Sequence, residues 1–169
     1  MTEILKGAPV AASIIEKAAR KTERLKEKGI VATLAVVRFG SREDDLAYER
    51  GIRKSAERAG ISVSLYEMPE NAKQREAEAL IARLNSCSEI HGILIFKPLP
   101  PGMDEKGLQS ILSPEKDIDG ITDAASASLY SGDGRYAIPC TARACIEMLR
   151  HYNIGISGKN AVVIGRSPV

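Results

Sequence analysis

Short, uninterrupted apolar runs alternate along this chain with segments of helical periodicity, and this alternation restricts the fold more than any other feature. ATLAVVRFG (32–40), HGILIF (91–96) and KNAVVIG (159–165) are too short for buried helices, and each stops at a glycine or before a proline-rich stretch. ISVSLYEM (61–68) alternates polar and apolar residues as a half-buried strand does. Between these runs, residues 9–28 align Val10, Ile14, Ala18 and Leu25, with Ala11 and Ile15 beside them, opposite Glu16, Lys17, Arg20, Lys21 and Arg24; Gly29 follows as a stop. Further helices are predicted over about 45–59, capped by Asp44 or Asp45 and ended by Gly60, over 73–86, and over 104–112. Residues 114–138 read as irregular, and Thr141 as the cap of a helix reaching about Tyr152. Strands that are apolar on both faces and alternate with helices predict an α/β fold, with a parallel sheet covered on both sides.

Composition narrows the function classes. With 24 basic against 22 acidic residues the net charge is +2, and no basic block or aromatic-interleaved stripe suggests nucleic acid. The three cysteines, Cys87, Cys140 and Cys145, include no CxxC pair, which fits a reducing, cytoplasmic setting better than a disulfide framework. Cys140, Cys145 and His151 lack the spacing of a zinc motif, so no metal is expected. His91 and His151 read as a strand-edge and a helix-end residue without catalytic roles. The amino-terminal stretch lacks the charge and apolar core of a signal peptide, and no apolar run approaches a membrane span.

In open α/β sheets ligands bind outside the carboxyl ends of the strands. Four stretches occupy that position: FGSREDD, KPLPPG, EKDIDG and GRSPV. In the last, Gly165 would admit a pyrophosphate to the backbone, and Arg166 with Ser167 would suit the extra phosphate of NADP. Taken alone, the same pattern also fits any strand-to-helix turn.

In order and spacing, KGIVATLAVVRFG, DDLAYERGIRKSAERAGI, HGILIFKPLP, SPEKDIDG, IPCTARACIEML and KNAVVIGRSPV together resemble the methylenetetrahydrofolate dehydrogenase/methenyltetrahydrofolate cyclohydrolase family. The resemblance implies a parallel-sheet folate-binding domain over 1–138, followed by the start of a Rossmann-type NAD(P)-binding domain over 139–169, cut off after one strand. It implies a pterin bound in the cleft between the domains, NADP as cofactor with NAD as the alternative, and a homodimer. It assigns folate contact to Tyr48, Pro98, Leu99, Pro100 and Asp119, with Asp119 taking the pterin's amino group and ring nitrogen, and cofactor contact to Gly165, Arg166 and Ser167.

The departures carry chemistry too. Ile52 stands where the family has a catalytic Lys four residues after its Tyr, and Phe96 where it has a Gln; Lys97 replaces a Leu, and Ala125 and Ala127 an Asn and a Gly. Lys54, six residues from Tyr48 and about 240° round a helix from it, is the nearest catalytic substitute in sequence. Oxidising the methylene bridge leaves a methenyl cation stabilised by two nitrogens and needs positioning more than a proton carrier. Hydrolysing that bridge needs an activated water and a proton delivered to nitrogen. The expectation is therefore a dehydrogenase with weakened cyclohydrolase activity, Tyr48, Lys54 and Asp119 being the catalytic candidates. Two rivals are a catalytically inactive folate-binding or regulatory relative and another two-domain dehydrogenase, such as one acting on shikimate or an amino acid.

Overall fold

Alternate residues of the central strand β1 (Thr33–Phe39) feed two separate cores. The computed structural model, which describes residues 4–165, surrounds this strand with α1 (Gly7–Lys26), α2 (Glu43–Arg58), β2 (Ser62–Met68), α3 (Gln74–Ser86), β3 (Gly92–Ile95), α4 (Glu105–Ile111), α5 (Asp123–Ser131) and α6 (Cys140–His151). The strands form one parallel sheet in the order β2-β1-β3, with Val36 opposite Leu65 and Leu94. Ala35, Val37, Phe39, Ile93 and Ile95 point to the face covered by α3 and α4, where they meet Ala77, Ile81, Leu84 and Leu108. Val36, Leu94 and Phe96 point to the other face, against Ile52 of α2. Each large side chain fully buried this way contributes about 1.5–3 kcal/mol, which is why both apolar faces had to be covered. The predicted two-sided parallel sheet is the architecture found.

Local corrections have physical causes. Arg42, not Asp44 or Asp45, occupies the N-cap of α2; the acids lie in the first turn, where the helix dipole favours them. Asp45 accepts a two-pronged bond from Arg42, both contacts 2.9 Å. Pro139 stands at the N-cap of α6, and Thr141 is an exposed residue within the helix rather than its cap. The stretch read as irregular contains α5: Thr122 accepts from the Ala125 amide at 3.2 Å, and Gly132 ends the helix at φ 71°. Residues 159–165 form no strand. Val162 and Val163 are 88% exposed and Ile164 98%, and no described strand pairs with them to satisfy their backbone groups.

The KDIDG segment is fastened to β3. Ile93 donates its amide to the Lys116 carbonyl at 2.7 Å and bridges Asp117 in parallel. Asp117, 2% exposed, accepts from the amides of Asp119 (3.2 Å), Gly120 (2.9 Å) and Thr122 (2.8 Å). Gly120 has φ +69°, and a Cβ there would fall 2.7 Å from the Pro139 nitrogen, so only glycine lets the turn pass beneath the entry to α6.

On the other side of β1, the buried Arg38 donates to Glu49 at 3.1 Å, to Glu67 at 2.9 Å and to the Gly40 carbonyl, while Arg53 donates to Glu49 at 2.7 Å. Burial alone would push the Glu49 carboxyl up, but the bonds from Arg53 and Arg38 outweigh it and hold the group below its ordinary range. The Arg42 bond does the same for Asp45 against a smaller opposing effect of burial.

Replacing Asp117 by Ala leaves three amides without their acceptor. At about 1–3 kcal/mol for an unsatisfied buried group, the loss should reach several kcal/mol, measurable as a drop in the denaturation midpoint. A drop no larger than that of an exposed Asp123→Ala control would show that other groups hold the turn. Glu49 and Asp45 also set an acid limb. Their depressed folded values mean that the unfolded chain takes up protons first, so their stabilisation is complete above the ordinary carboxylate range near pH ~4 and is lost as pH falls through the folded values. Melting curves should fall off below about pH 4, and Glu49→Gln with Asp45→Asn should flatten that slope. An unchanged slope would assign the limb to other carboxyls.

Candidate functional site

Three segments converge beyond the carboxyl ends of β1 and β3: the first half of α2, the loop after β3, and the KDIDG turn with the start of α6. Tyr48 lies on α2, 60% exposed, its ring centroid 5.2 Å from that of Phe96 and tilted by 44°. Phe96, directly after β3, is pinned where its amide donates to the Val37 carbonyl at 2.9 Å. Ile52, one turn beyond Tyr48, packs on the same Val36–Leu94–Phe96 group. Ile52 and Phe96, an aliphatic and an aromatic side chain standing where the resemblance has a Lys and a Gln, thus belong to one apolar cluster.

Asp119, half-buried at the tip of the turn, lies near enough for its charge to act on Tyr48 and Cys140. Partial burial pushes the Tyr48 hydroxyl up from its ordinary value, and the Asp119 carboxylate and Cys140 push it further. The Cys140 thiol is raised in the same way, by burial first and then by the charge of Asp119 and a hydrogen bond with it. Cys140 also donates to the Ile118 carbonyl at 3.4 Å. At neutral pH the grouping holds protonated Tyr48 and Cys140 beside Asp119, suiting it to accept hydrogen bonds from a ligand's N–H groups at the acid and to stack a ring on the tyrosine.

The loop after β3 forms a further wall. Lys97 pairs with Glu105 at 2.5 Å, Leu99 packs onto the α3–α4 core and anchors the loop, Pro98 is exposed and Pro100 half-buried. The structure therefore brings Tyr48, Asp119 and the Pro98–Pro100 loop to one end of the sheet. It does not bring Lys54 there: that side chain is exposed, about 240° round α2 from Tyr48. Ala125 is buried in the first turn of α5 and Ala127 is exposed. Gly165 lies in an exposed extended segment with no atom within 4 Å of where a Cβ would sit, and Arg166 and Ser167 lie outside the described residues.

Residue-by-residue reading missed Asp117, Cys140 and Glu49. An aspartate two residues before Asp-Gly is a turn signal that could have marked Asp117. Nothing local marks Cys140, which reaches the site because Gly120 admits the chain before α6. Among the described residues no group of three His, Cys, Asp or Glu side chains could hold a metal ion, and no helix is long and apolar enough to cross a membrane. A hollow of about 420 Å³ among Gly29, Thr33 and His91 lies at the amino end of the sheet, the wrong end for ligands in this architecture.

Comparison with known proteins matches this arrangement. The family profile described as "Tetrahydrofolate dehydrogenase/cyclohydrolase, catalytic domain" covers residues 5–119, and its companion "NAD(P)-binding domain" covers 139–169. The bifunctional protein FolD of Alkaliphilus oremlandii is 43% identical over all 169 residues, which span 59% of that relative. The crystal structure of the bifunctional FolD methylenetetrahydrofolate dehydrogenase/cyclohydrolase from Campylobacter jejuni superposes with a TM-score of 0.94 at 34% identity, over 98% of this chain and 58% of that one. The Trypanosoma brucei methylenetetrahydrofolate dehydrogenase-cyclohydrolase, determined with NADP cofactor and an inhibitor, gives a TM-score of 0.86 at 31% identity, over 94% of this chain and 54% of that one. The chain thus spans about three-fifths of the curated relatives it matches, and with its catalytic-domain profile, its sheet and its KDIDG turn it belongs to the tetrahydrofolate dehydrogenase/cyclohydrolase family.

Proposed function

We propose that the chain forms the folate-binding part, residues 1–138, and the beginning, from 139, of the Rossmann-type NAD(P)-binding part of an enzyme that oxidises 5,10-methylenetetrahydrofolate to 5,10-methenyltetrahydrofolate with NADP. The observation that carries this reading is the juxtaposition of Asp119 with the exposed ring of Tyr48 at the carboxyl end of the sheet. Asp119 accepts hydrogen bonds from the pterin's amino group and ring nitrogen, and the Tyr48 ring stacks on the folate. Pro98 and Pro100 close the side beyond β3, with Leu99 anchoring them.

NADP supplies the hydride acceptor when bound. Gly165, Arg166 and Ser167 would hold it, and at Gly165 no described atom lies within 4 Å of where a Cβ would sit. The chain's own residues orient the methylene bridge and exclude water from one side of it. Ile52 and Phe96, packed in one apolar cluster, supply no donor or acceptor at those two positions. A hydride step tolerates such a surface because the methenyl cation is stabilised within the substrate. Hydrolysis does not, since it needs a group that carries a proton. Tyr48, with its hydroxyl held up, is a donor rather than a base, and Lys97 is engaged with Glu105. The dehydrogenase step is therefore retained and the cyclohydrolase step weak.

The proposal extends to a homodimer in a reducing compartment such as the cytoplasm. Among the described strands β2 is an edge strand paired only with β1 and half-exposed over most of its length, and the three cysteines stand free.

The test is a pair of assays on the gene's full-length product. Methylenetetrahydrofolate-dependent reduction of NADP is expected, with decay of added methenyltetrahydrofolate close to the uncatalysed rate. General acid–base groups are worth about 10²–10⁴-fold, so Ile52→Lys with Phe96→Gln should raise that decay by at least roughly tenfold. Wild-type hydrolysis as fast as that of a bifunctional relative would overturn the loss, and absence of NADP and NAD reduction would favour a folate-binding protein without catalysis.

A further inference from the structure

Glu49 follows Tyr48 directly, yet the two side chains do opposite things. Neighbours on a helix point about 100° apart. Tyr48 is exposed over Phe96, while Glu49 turns inward, its side chain 11% exposed, to the end of the central strand. There its two oxygens take different partners: Oε2 accepts from Arg38 of β1 at 3.1 Å, and Oε1 from Arg53, one turn along α2, at 2.7 Å. Arg38 is itself immobilised. Its side chain is 3% exposed, it donates to Glu67 at 2.9 Å, its register partner on β2, and it donates to the Gly40 carbonyl where the chain leaves β1. The Arg42–Asp45 fork fixes the first turn of the same helix, three residues before Tyr48. Helix α2 is thus tied to the sheet through a charge pair buried beneath its site-facing side.

A rigid helix transmits rotation. If Glu49 is held at one azimuth, Tyr48 is held about 100° from it. Exposed over half its surface, with Phe96 as its aromatic neighbour, the tyrosine ring has little packing of its own to set its direction. A hydrophobic pair in place of Arg38 and Glu49 would bury area without fixing an angle, whereas paired, directional, charge-assisted bonds define one geometry. We propose that Glu49, clamped between Arg38 and Arg53, is the positioning residue that aims Tyr48 at the folate ring; the inference rests on the folate reading above.

The experiment is a double-mutant cycle on the full-length product, with tetrahydrofolate as the probe. Glu49→Gln keeps the shape and removes the charge. It should raise the Kd for tetrahydrofolate roughly tenfold, as expected for loss of a charge-assisted bond, and leave the KM for NADP unchanged. In a Tyr48→Ala background the same change should alter the folate Kd by less than about twofold, because the ring that Glu49 aims is gone. Should Glu49→Gln fail to fold, Arg38→Met with Glu49→Leu removes both charges together and should show the same loss and the same dependence on Tyr48. Equal losses in both backgrounds, or parallel rises in folate Kd and NADP KM, would reduce Glu49 to a stabilising residue and overturn the proposal. An unchanged folate Kd in Glu49→Gln would remove this inference alone. A wild-type protein that binds no tetrahydrofolate would remove the folate reading and this inference with it.

Discussion

The carboxylate of Asp117 organises the site. By accepting three backbone amides within one turn it converts KDIDG from a flexible stretch into a fixed bracket on β3. The positions of Asp119 and Cys140 follow from that bracket. Asp119 is held near Tyr48, and Gly120 passes under Pro139, which sets where α6 begins and puts Cys140 beside the acid. A residue that need not touch a ligand therefore decides where the ligand-facing acid stands. Its burial is tolerable because every bond it makes replaces one it would have made with water.

The opposite wall is built from unlike materials. Arg38, Glu49 and Arg53 tie α2 down through charge, and Ile52 with Phe96 fills the space above through apolar contact. The Lys and Gln of the family are replaced together by Ile52 and Phe96, and the result is a packed apolar cluster rather than a cavity. That favours an altered balance of activities over simple decay. Hydride transfer asks a site for position and hydrolysis asks it for a proton, and on the proposed reading this site keeps the first.

Most of the fold was legible in the sequence because burial on both faces leaves an unambiguous mark. TLAVVRF and GILI have no polar alternation, and strands of that kind belong inside a parallel sheet. The helices between them followed from periodicity to within a few residues. What was not legible depended on distant partners. Helix α5 is short and rich in Ala and Ser, so periodicity is faint and only its Thr122 cap and Gly132 stop betray it. The 159–165 run reads as a strand from side chains alone, but strands are defined by pairing, and no described strand pairs with it. Tyr48, Asp119 and the Pro98–Pro100 loop were identified by resemblance and the fold brings them together; Lys54 was chosen on proximity in sequence, and helical geometry points it elsewhere. Arg38 and Glu49 look like surface charges in a linear reading. Only the pairing of β1 with β2 and the packing of α2 reveal them as an internal clamp.

The central claim is that the site formed by Tyr48 and Asp119 takes a folate. It is tested most directly by a crystal structure of the gene's full-length product with a bound tetrahydrofolate analogue. The account predicts the pterin's amino group and ring nitrogen on the Asp119 carboxylate and the folate stacked on Tyr48, with no ordered water bonded at the apolar Ile52 position. An analogue seated elsewhere, or one that leaves the Asp119 carboxylate unbonded, would contradict it.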